Sequence, residues 1–269
     1  MRAWIATFSL LAATATAAER PAPANEALAR IAARAEATHS DALLVMRGDD
    51  VLLERYAQAK AQPIELMSAT KSVVALLVGR LVALGRIESL DQPVHAFYPE
   101  WRQGQKQRVT LRMLLNHTSG MQNVQNAGAE IYPAPDVIQL ALAAELGTVP
   151  GSAFSYNNKA VNLLAGVIER ASGVPMDEFA RRELFEPLGI EAGPWHKDAA
   201  GHPHAMAGLA LRAADAAKLG RLVIERGRVG ERVLIPEDYL RVMLEPGSTL
   251  YAGAGLLWWR RPAFERFHA

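Results

Sequence analysis

The stretch that most constrains this chain is residues 67–84, MSATKSVVALLVGRLVAL, where apolar side chains run almost unbroken over helical length and Gly85 follows. A helix that is apolar on all sides must be buried, so the rest of the chain has to fold around it. Its polar interruptions, Ser68, Thr70, Lys71, Ser72 and Arg80, are then unexpected, because a buried polar group needs a partner. Ser68 and Lys71 stand three residues apart, which on a helix puts both on one face within hydrogen-bond reach. A lysine surrounded by Val73, Val74, Leu76 and Leu77 resists carrying charge, and its neutral amine can take the serine proton. The helix N-terminus adds positive potential where an oxyanion would form. The plainer alternative is a helix cap followed by a lysine whose amine reaches water.

Composition limits the other chemistries. With 269 residues, 50% of them hydrophobic and 21% charged, the chain can bury a sizeable core. A net charge of +1 leaves no basic field for nucleic acid. Zero cysteines exclude disulfides, thiolate metal sites, a cysteine nucleophile and a lipid anchor on cysteine, so a nucleophile must be an oxygen or an amine. Residues 1–18, MRAWIATFSLLAATATAA, place one Arg before an apolar run and then small residues. That order reads as a secretory signal peptide cleaved near Ala17 or Ala18, and the apolar run is about half the length that crosses a bilayer. Residues 19–269 are therefore expected as one secreted or periplasmic domain with no stable membrane span.

Apolar spacing predicts an amphipathic helix over 25–38 and strands over 42–47 and 51–56, joined as a hairpin by Gly48-Asp49-Asp50. Helical patterns follow over 110–116, 136–146, 158–171, 176–188 and 213–226, and a strand-like segment returns only at 252–259. The organisation expected is a small sheet-bearing lobe from both chain ends around a helical lobe at about 90–205. Roughly three strands are few to cover so apolar a helix, so the sheet is expected to be incomplete towards the C-terminus.

A second candidate constellation is Phe154-Ser155-Tyr156-Asn157-Asn158, after the Pro150-Gly151 turn and before a helix. Its Tyr-x-Asn triplet and the Ser-x-x-Lys pair have a joint chance expectation of about 0.03 in this composition, so together they carry weight that neither has alone. A tyrosine near a lysine can exchange protons as general base and acid, and an asparagine can orient substrate and lysine. The bland reading is a loop tyrosine with Asn157 or Asn158 capping the helix.

Taken in order, Met67-Ser68-Ala69-Thr70-Lys71-Ser72, the turn Leu90-Asp91-Gln92-Pro93-Val94, the stretch from Leu114 through Asn116-His117-Thr118-Ser119-Gly120 to Met121, the Tyr156 motif, Gly208-Leu209 and Asp215 to Gly220 resemble a known family. It is the serine β-lactamase and penicillin-binding protein superfamily, in its class C-like branch with related esterases, D-aminopeptidases and nylon-oligomer hydrolases. The resemblance implies an α/β (α+β) β-lactamase-like fold, with a small antiparallel sheet lobe flanked by helices and an all-helical lobe. It also implies that Ser68 is the acylated nucleophile, Lys71 its proton acceptor, Tyr156 the shuttle to the leaving group and Asn158 a substrate-binding residue. No cofactor or metal is implied. The substrate expected is a small ester, amide or β-lactam, with ester or amide hydrolysis preferred; oligomeric state is left open.

The family's third motif, Lys-Thr-Gly or a His-x-Gly relative on a strand, is not found: Lys218-Leu219-Gly220 lies in a helical pattern and His117-Thr118-Ser119-Gly120 precedes the tyrosine. The chain thus reads as C-terminally truncated, and the rival function is an inert relative that binds ligand without turnover. Histidines 202 and 204, with His196 nearby, are read as solvated loop residues rather than metal ligands. His117 is read as buried and hydrogen-bonded rather than as part of a triad with Ser68 and Asp91. Trp258 and Trp259 are read as strand aromatics packing on a helix, and Arg181-Arg182 and Arg260-Arg261 as solvated surface.

Overall fold

The computed structural model of the protein describes residues 23–58, 61–124 and 126–260. The signal peptide expected over residues 1–18, like Arg261, lies outside them. The chain divides into two compact units, one ending at Ala57 and one beginning at Gln58.

The first unit holds α1 (Pro23–Ala37), β1 (Ala42–Arg47) and β2 (Asp50–Tyr56). The strands pair antiparallel from Ala42↔Tyr56 to Arg47↔Asp50, with a bulge between Val45 and Met46. The two-residue connection needs a left-handed backbone, which Gly48 supplies at φ 60.

In the second unit β3 (Ile64–Glu65) leads through a 3₁₀ turn, Met67–Ala69, into α2 (Thr70–Ala83). Then come α3 (Leu111–Leu115), α4 (Ala127–Glu130), α5 (Val137–Ala143) and α6 (Asn158–Ser172). Helix α7 (Met176–Ala180) runs on through a π turn (Arg181–Phe185) and a 3₁₀ turn (Glu186–Leu188). Pro187, lacking an N–H, stands in the first positions of the 3₁₀ turn, where a helical donor is not needed. The unit closes with β4 (Ala210–Leu211), α8 (Ala213–Ile224), β5 (Arg228–Val229), β6 (Arg232–Val233) and α9 (Glu237–Leu244). Among the described residues the strands form antiparallel pairs, β1 with β2, β3 with β4 and β5 with β6, so the chain is α/β with little sheet.

Helix α2 is buried as its composition requires, Val74 through Val78 having no exposed surface. It packs against α6, whose Val161, Leu163 and Leu164 are equally enclosed, and against α9. Tyr239 of α9 donates its hydroxyl to the Ala75 carbonyl at 2.6 Å, and its ring lies 2.6 Å from where a side chain on Gly79 would begin. The polar groups of α2 are satisfied one by one. Thr70 Oγ1 accepts the Leu209 N–H at 3.3 Å, and Arg80 donates to Glu183 at 2.8 and 2.9 Å and to the Leu234 carbonyl at 3.2 Å.

The strand expected at 252–259 is not formed. That segment is a turn closed by an isolated Ala254–Trp259 bridge, with Leu256 and Leu257 buried. Its backbone instead bonds to helices: the Leu256 N–H donates to the Met243 carbonyl and the Leu257 N–H to the Leu115 carbonyl, both at 2.9 Å. Apolar alternation alone cannot distinguish these two uses of a short buried run.

Candidate active site

Ser68 lies in the 3₁₀ turn that opens α2, exposed to solvent. The preceding residue, Met67, has φ 46, a left-handed conformation that costs a non-glycine residue energy and is held by the surrounding structure. Lys71, on the first turn of α2, is 3% exposed. Its Nζ lies 3.1 Å from Ser68 Oγ and donates to the Met206 carbonyl at 2.7 Å. The snorkelling alternative therefore fails: burial takes this amine out of water and lowers its pKa to about 7.

Tyr156 closes the other side, its hydroxyl donating to Ser68 Oγ at 2.8 Å. Its ring lies 4.9 Å from Lys71 Nζ. Burial raises the phenol pKa, with the Ser68 bond opposing the shift, so at neutral pH this group is protonated. Three residues that the sequence separates by as much as 88 positions thus share one oxygen.

The loop carrying Tyr156 is held by the His117 region. The Ser155 N–H donates to the His117 carbonyl at 2.8 Å, and the Asn157 N–H to His117 Nδ1 at 3.2 Å. His117 is 3% exposed, and burial with the neighbouring Lys71 charge lowers its pKa to about 3. It is a neutral scaffold group, and Asp91 is bonded to Arg112 at 2.7 and 2.9 Å, so the two do not form a triad with Ser68. Asn157, and not Asn158, caps α6 by accepting the Ala160 N–H at 2.9 Å. That leaves Asn158 on the first turn, its Oδ1 buried without a hydrogen-bond partner.

Asn162 was not expected to matter. Fully buried on α6, it accepts the Met206 N–H at 3.0 Å and so anchors the residue whose own carbonyl, in the next peptide, receives Lys71. Its signal in the sequence is weak: a polar residue four positions after Asn158, in the middle of the apolar stretch of α6 from Ala160 to Ile168. Gly208-Leu209 of the resembling motifs lies against the strand that leads into Ser68, the Leu66 N–H donating to the Leu209 carbonyl at 2.8 Å.

His204 is buried and His202 only partly exposed, which corrects the reading of both as solvated loop residues. His204 is 1% exposed and its ring meets His196 at 4.8 Å, edge to face. His202 Nδ1 lies 3.2 Å from Asp198 Oδ2 and 3.5 Å from Asp136 Oδ1. These three side chains could converge on an ion. Their carboxylates are already engaged, Asp198 by the N–H groups of Val137 and His202, Asp136 by those of Ile138 and Gln139. The cluster latches residues 198–202 to the start of α5. Lys218-Leu219-Gly220 lies inside α8, and Arg181 and Arg182 pair with Glu178 on the surface. Trp258 packs on α2, its Nε1 donating to the Ser72 carbonyl at 3.2 Å, whereas Trp259 is 55% exposed and lies beside Tyr156.

An exposed serine hydroxyl between a buried amine and a phenol is the arrangement of a nucleophile with two proton carriers. Residues 26–258 match the Beta-lactamase family, and the chain belongs to it. Esterase EstB of Burkholderia gladioli is 33% identical over 144 residues, 46% of this chain and 36% of that protein. The 6-aminohexanoate-dimer hydrolase of Paenarthrobacter ureafaciens is 26% identical over 237 residues, 80% of this chain and 59% of that one. The matched stretches thus span from about a third to under two thirds of these relatives. Among solved structures EstCE1, a hydrolase with promiscuous acyltransferase activity, superposes with a TM-score of 0.72 over 87% of this chain and 83% of its own, at 17% identity. The fold is therefore β-lactamase-like.

Proposed function

We propose that the protein is an exported serine hydrolase that cleaves a small ester or amide through an acyl-enzyme. The observation that carries this reading is Ser68 Oγ held at 3.1 Å from the buried Lys71 amine and 2.8 Å from the Tyr156 hydroxyl. With the lysine pKa near 7, a large fraction of Lys71 is neutral at physiological pH. Ser68 Oγ attacks the substrate carbonyl carbon while its proton passes to Lys71 Nζ. The tetrahedral oxyanion forms at the Ser68 N–H, in the first turn of a helix where N–H groups lack helical partners. Collapse breaks the bond to the leaving oxygen or nitrogen, which takes a proton from Tyr156; Tyr156 is reprotonated from Lys71. Water then attacks the acyl carbon by the same proton path, releasing the acid and restoring Ser68. Asn158 Oδ1, without an internal partner, is assigned to substrate binding.

Names of relatives such as EstB and the 6-aminohexanoate-dimer hydrolase support esters and amides as the substrate class; a β-lactam or D-alanyl peptide remains in range through the penicillin-binding and carboxypeptidase relatives. Export rests on the basic, apolar, small-residue order of residues 1–18. Among the described residues no helix is long and apolar enough to cross a membrane.

One observation favours a second reading, an inert ligand binder: the lone Lys-x-Gly triplet after Tyr156, Lys218-Leu219-Gly220, is helical and cannot offer a strand N–H as a second oxyanion donor. Losing one such donor costs about 10²–10³ in rate. Intact mass of the periplasmically expressed protein, before and after a fluorophosphonate and a penicillin, separates the two. A covalent adduct on the leader-cleaved wild type and none on Ser68→Ala is the expected result. No adduct on folded protein would overturn the enzyme reading.

A further inference from the structure

Beside Ser68 the protein exposes aromatic surface that the acyl-transfer steps do not use. Trp259 is 55% exposed, Tyr251 42% and Met67 60%. The Trp259 ring lies 6.0 Å from that of Tyr156, inclined by 30°, and 6.2 Å from Tyr251, which in turn stacks on Phe154 at 4.4 Å. Four rings from segments about a hundred residues apart therefore converge on one flank of the site.

The exposed ring against Tyr156, Trp259, is carried by a pinned turn and not by a loose strand end. Ser72 Oγ donates to the Leu257 carbonyl at 3.0 Å, Trp258 Nε1 to the Ser72 carbonyl, and the Arg260 N–H to the Gly253 carbonyl at 2.8 Å. Trp259 sits between these anchors. Keeping a large apolar ring in water on an ordered turn forgoes the burial that ordinarily stabilises it, and an exposed cluster of such rings beside a polar site marks ligand contact.

The proton path says which part of a ligand meets it. The leaving oxygen or nitrogen must come within hydrogen-bond distance of the Tyr156 hydroxyl to receive its proton. Of the two rings against Tyr156, His117 is buried and Trp259 is exposed, so the surface reachable from the leaving group is Trp259. We propose that Trp259, backed by Tyr251, is the leaving-group wall of the Ser68 site and selects esters and amides whose alcohol or amine portion is a flat apolar ring. This rests on the acyl-transfer reading above, and it assigns specificity to a contact rather than to the chemistry.

Benzyl butyrate and ethyl butyrate test it, because they share one acyl group and leave as alcohols of similar acidity. Wild type should favour the benzyl ester in kcat/KM, and Trp259→Ala should lower the benzyl-to-ethyl ratio about tenfold, the size of one aromatic contact. Trp259→Phe should keep most of the preference, and Ile224→Ala, an exposed site outside this cluster, should leave the ratio unchanged. A ring that merely props Tyr156 would slow both esters alike, and an unchanged ratio overturns the proposal. The same comparison by calorimetric binding to Ser68→Ala needs no turnover. Preferential binding of the benzyl ester, lost in Ser68→Ala/Trp259→Ala, supports the wall even where the enzyme reading fails; equal binding of the two esters overturns the wall whether or not Ser68 is reactive.

Discussion

Lys71 and Tyr156 share Ser68 Oγ but are pushed in opposite directions by the same burial. Desolvation disfavours the charged form of each, so the amine loses its proton more easily and the phenol holds its own more tightly. At neutral pH the pair offers one acceptor and one donor, as proton transfer through a shared oxygen requires. For the proposed mechanism the sign for activity follows: lowering the pH protonates Lys71 and takes away the base assigned to it. The pH profile of kcat/KM for a neutral ester should fall about tenfold per pH unit below about 7 and level off above it. A flat profile from pH 5 to 8 would remove Lys71 as the base. At this scale the sequence was informative about Ser68, Lys71 and Tyr156, because their types and spacings are themselves the chemistry. It was uninformative about Asn162, whose value lies in one hydrogen bond to a peptide 44 residues away.

Helix α2 and its packing carry the element scale. Gly79 is there because the Tyr239 ring and Ile235 leave no room for a side chain, at 2.6 and 2.9 Å from an added methyl carbon. Gly79→Ala should gain helix propensity and still destabilise the protein by about 1–3 kcal/mol through overpacking, read as a lower midpoint in urea unfolding. An unchanged or raised midpoint would show that α9 yields readily. Long periodic elements such as α2 and α6 were legible because their burial pattern repeats over several turns. Helix α9 was missed although Pro236 followed by Glu237 and Asp238 is a start signal, since eight residues give the period little room. The two-residue strands β3 to β6 have no period at all; β3 and β4 exist because Leu66 and Leu209 are brought together across the fold.

Across the second unit, Arg80 ties α2 to the π turn through Glu183 and to the Leu234 carbonyl. The guanidinium is 8% exposed and the carboxylate 30%, so the pair is only partly screened. Arg80→Leu removes the charge and its donors together, leaving Glu183 able to turn to water, whereas Glu183→Leu strands a buried cation. The second should cost more, about 2 kcal/mol against 1 or less, as a difference in thermal or urea midpoint. Equal losses would mean that the contact is packing alone.

What the residues determined by themselves is chemical and local: a buried helix opening with a serine and a lysine on one face, a tyrosine loop capped into a second helix, and the family to which those motifs point. Side-chain type and short spacing are properties of the chain before it folds, so they can be read from it. What only the tertiary structure decided is which groups are dry and which are wet. Burial gave Lys71 its lowered pKa, made His117 and His204 interior groups, took the expected strand at 252–259 into a turn between helices, and left Trp259 exposed beside Tyr156. Desolvation depends on everything packed around a group, and those neighbours come from positions far away in the sequence.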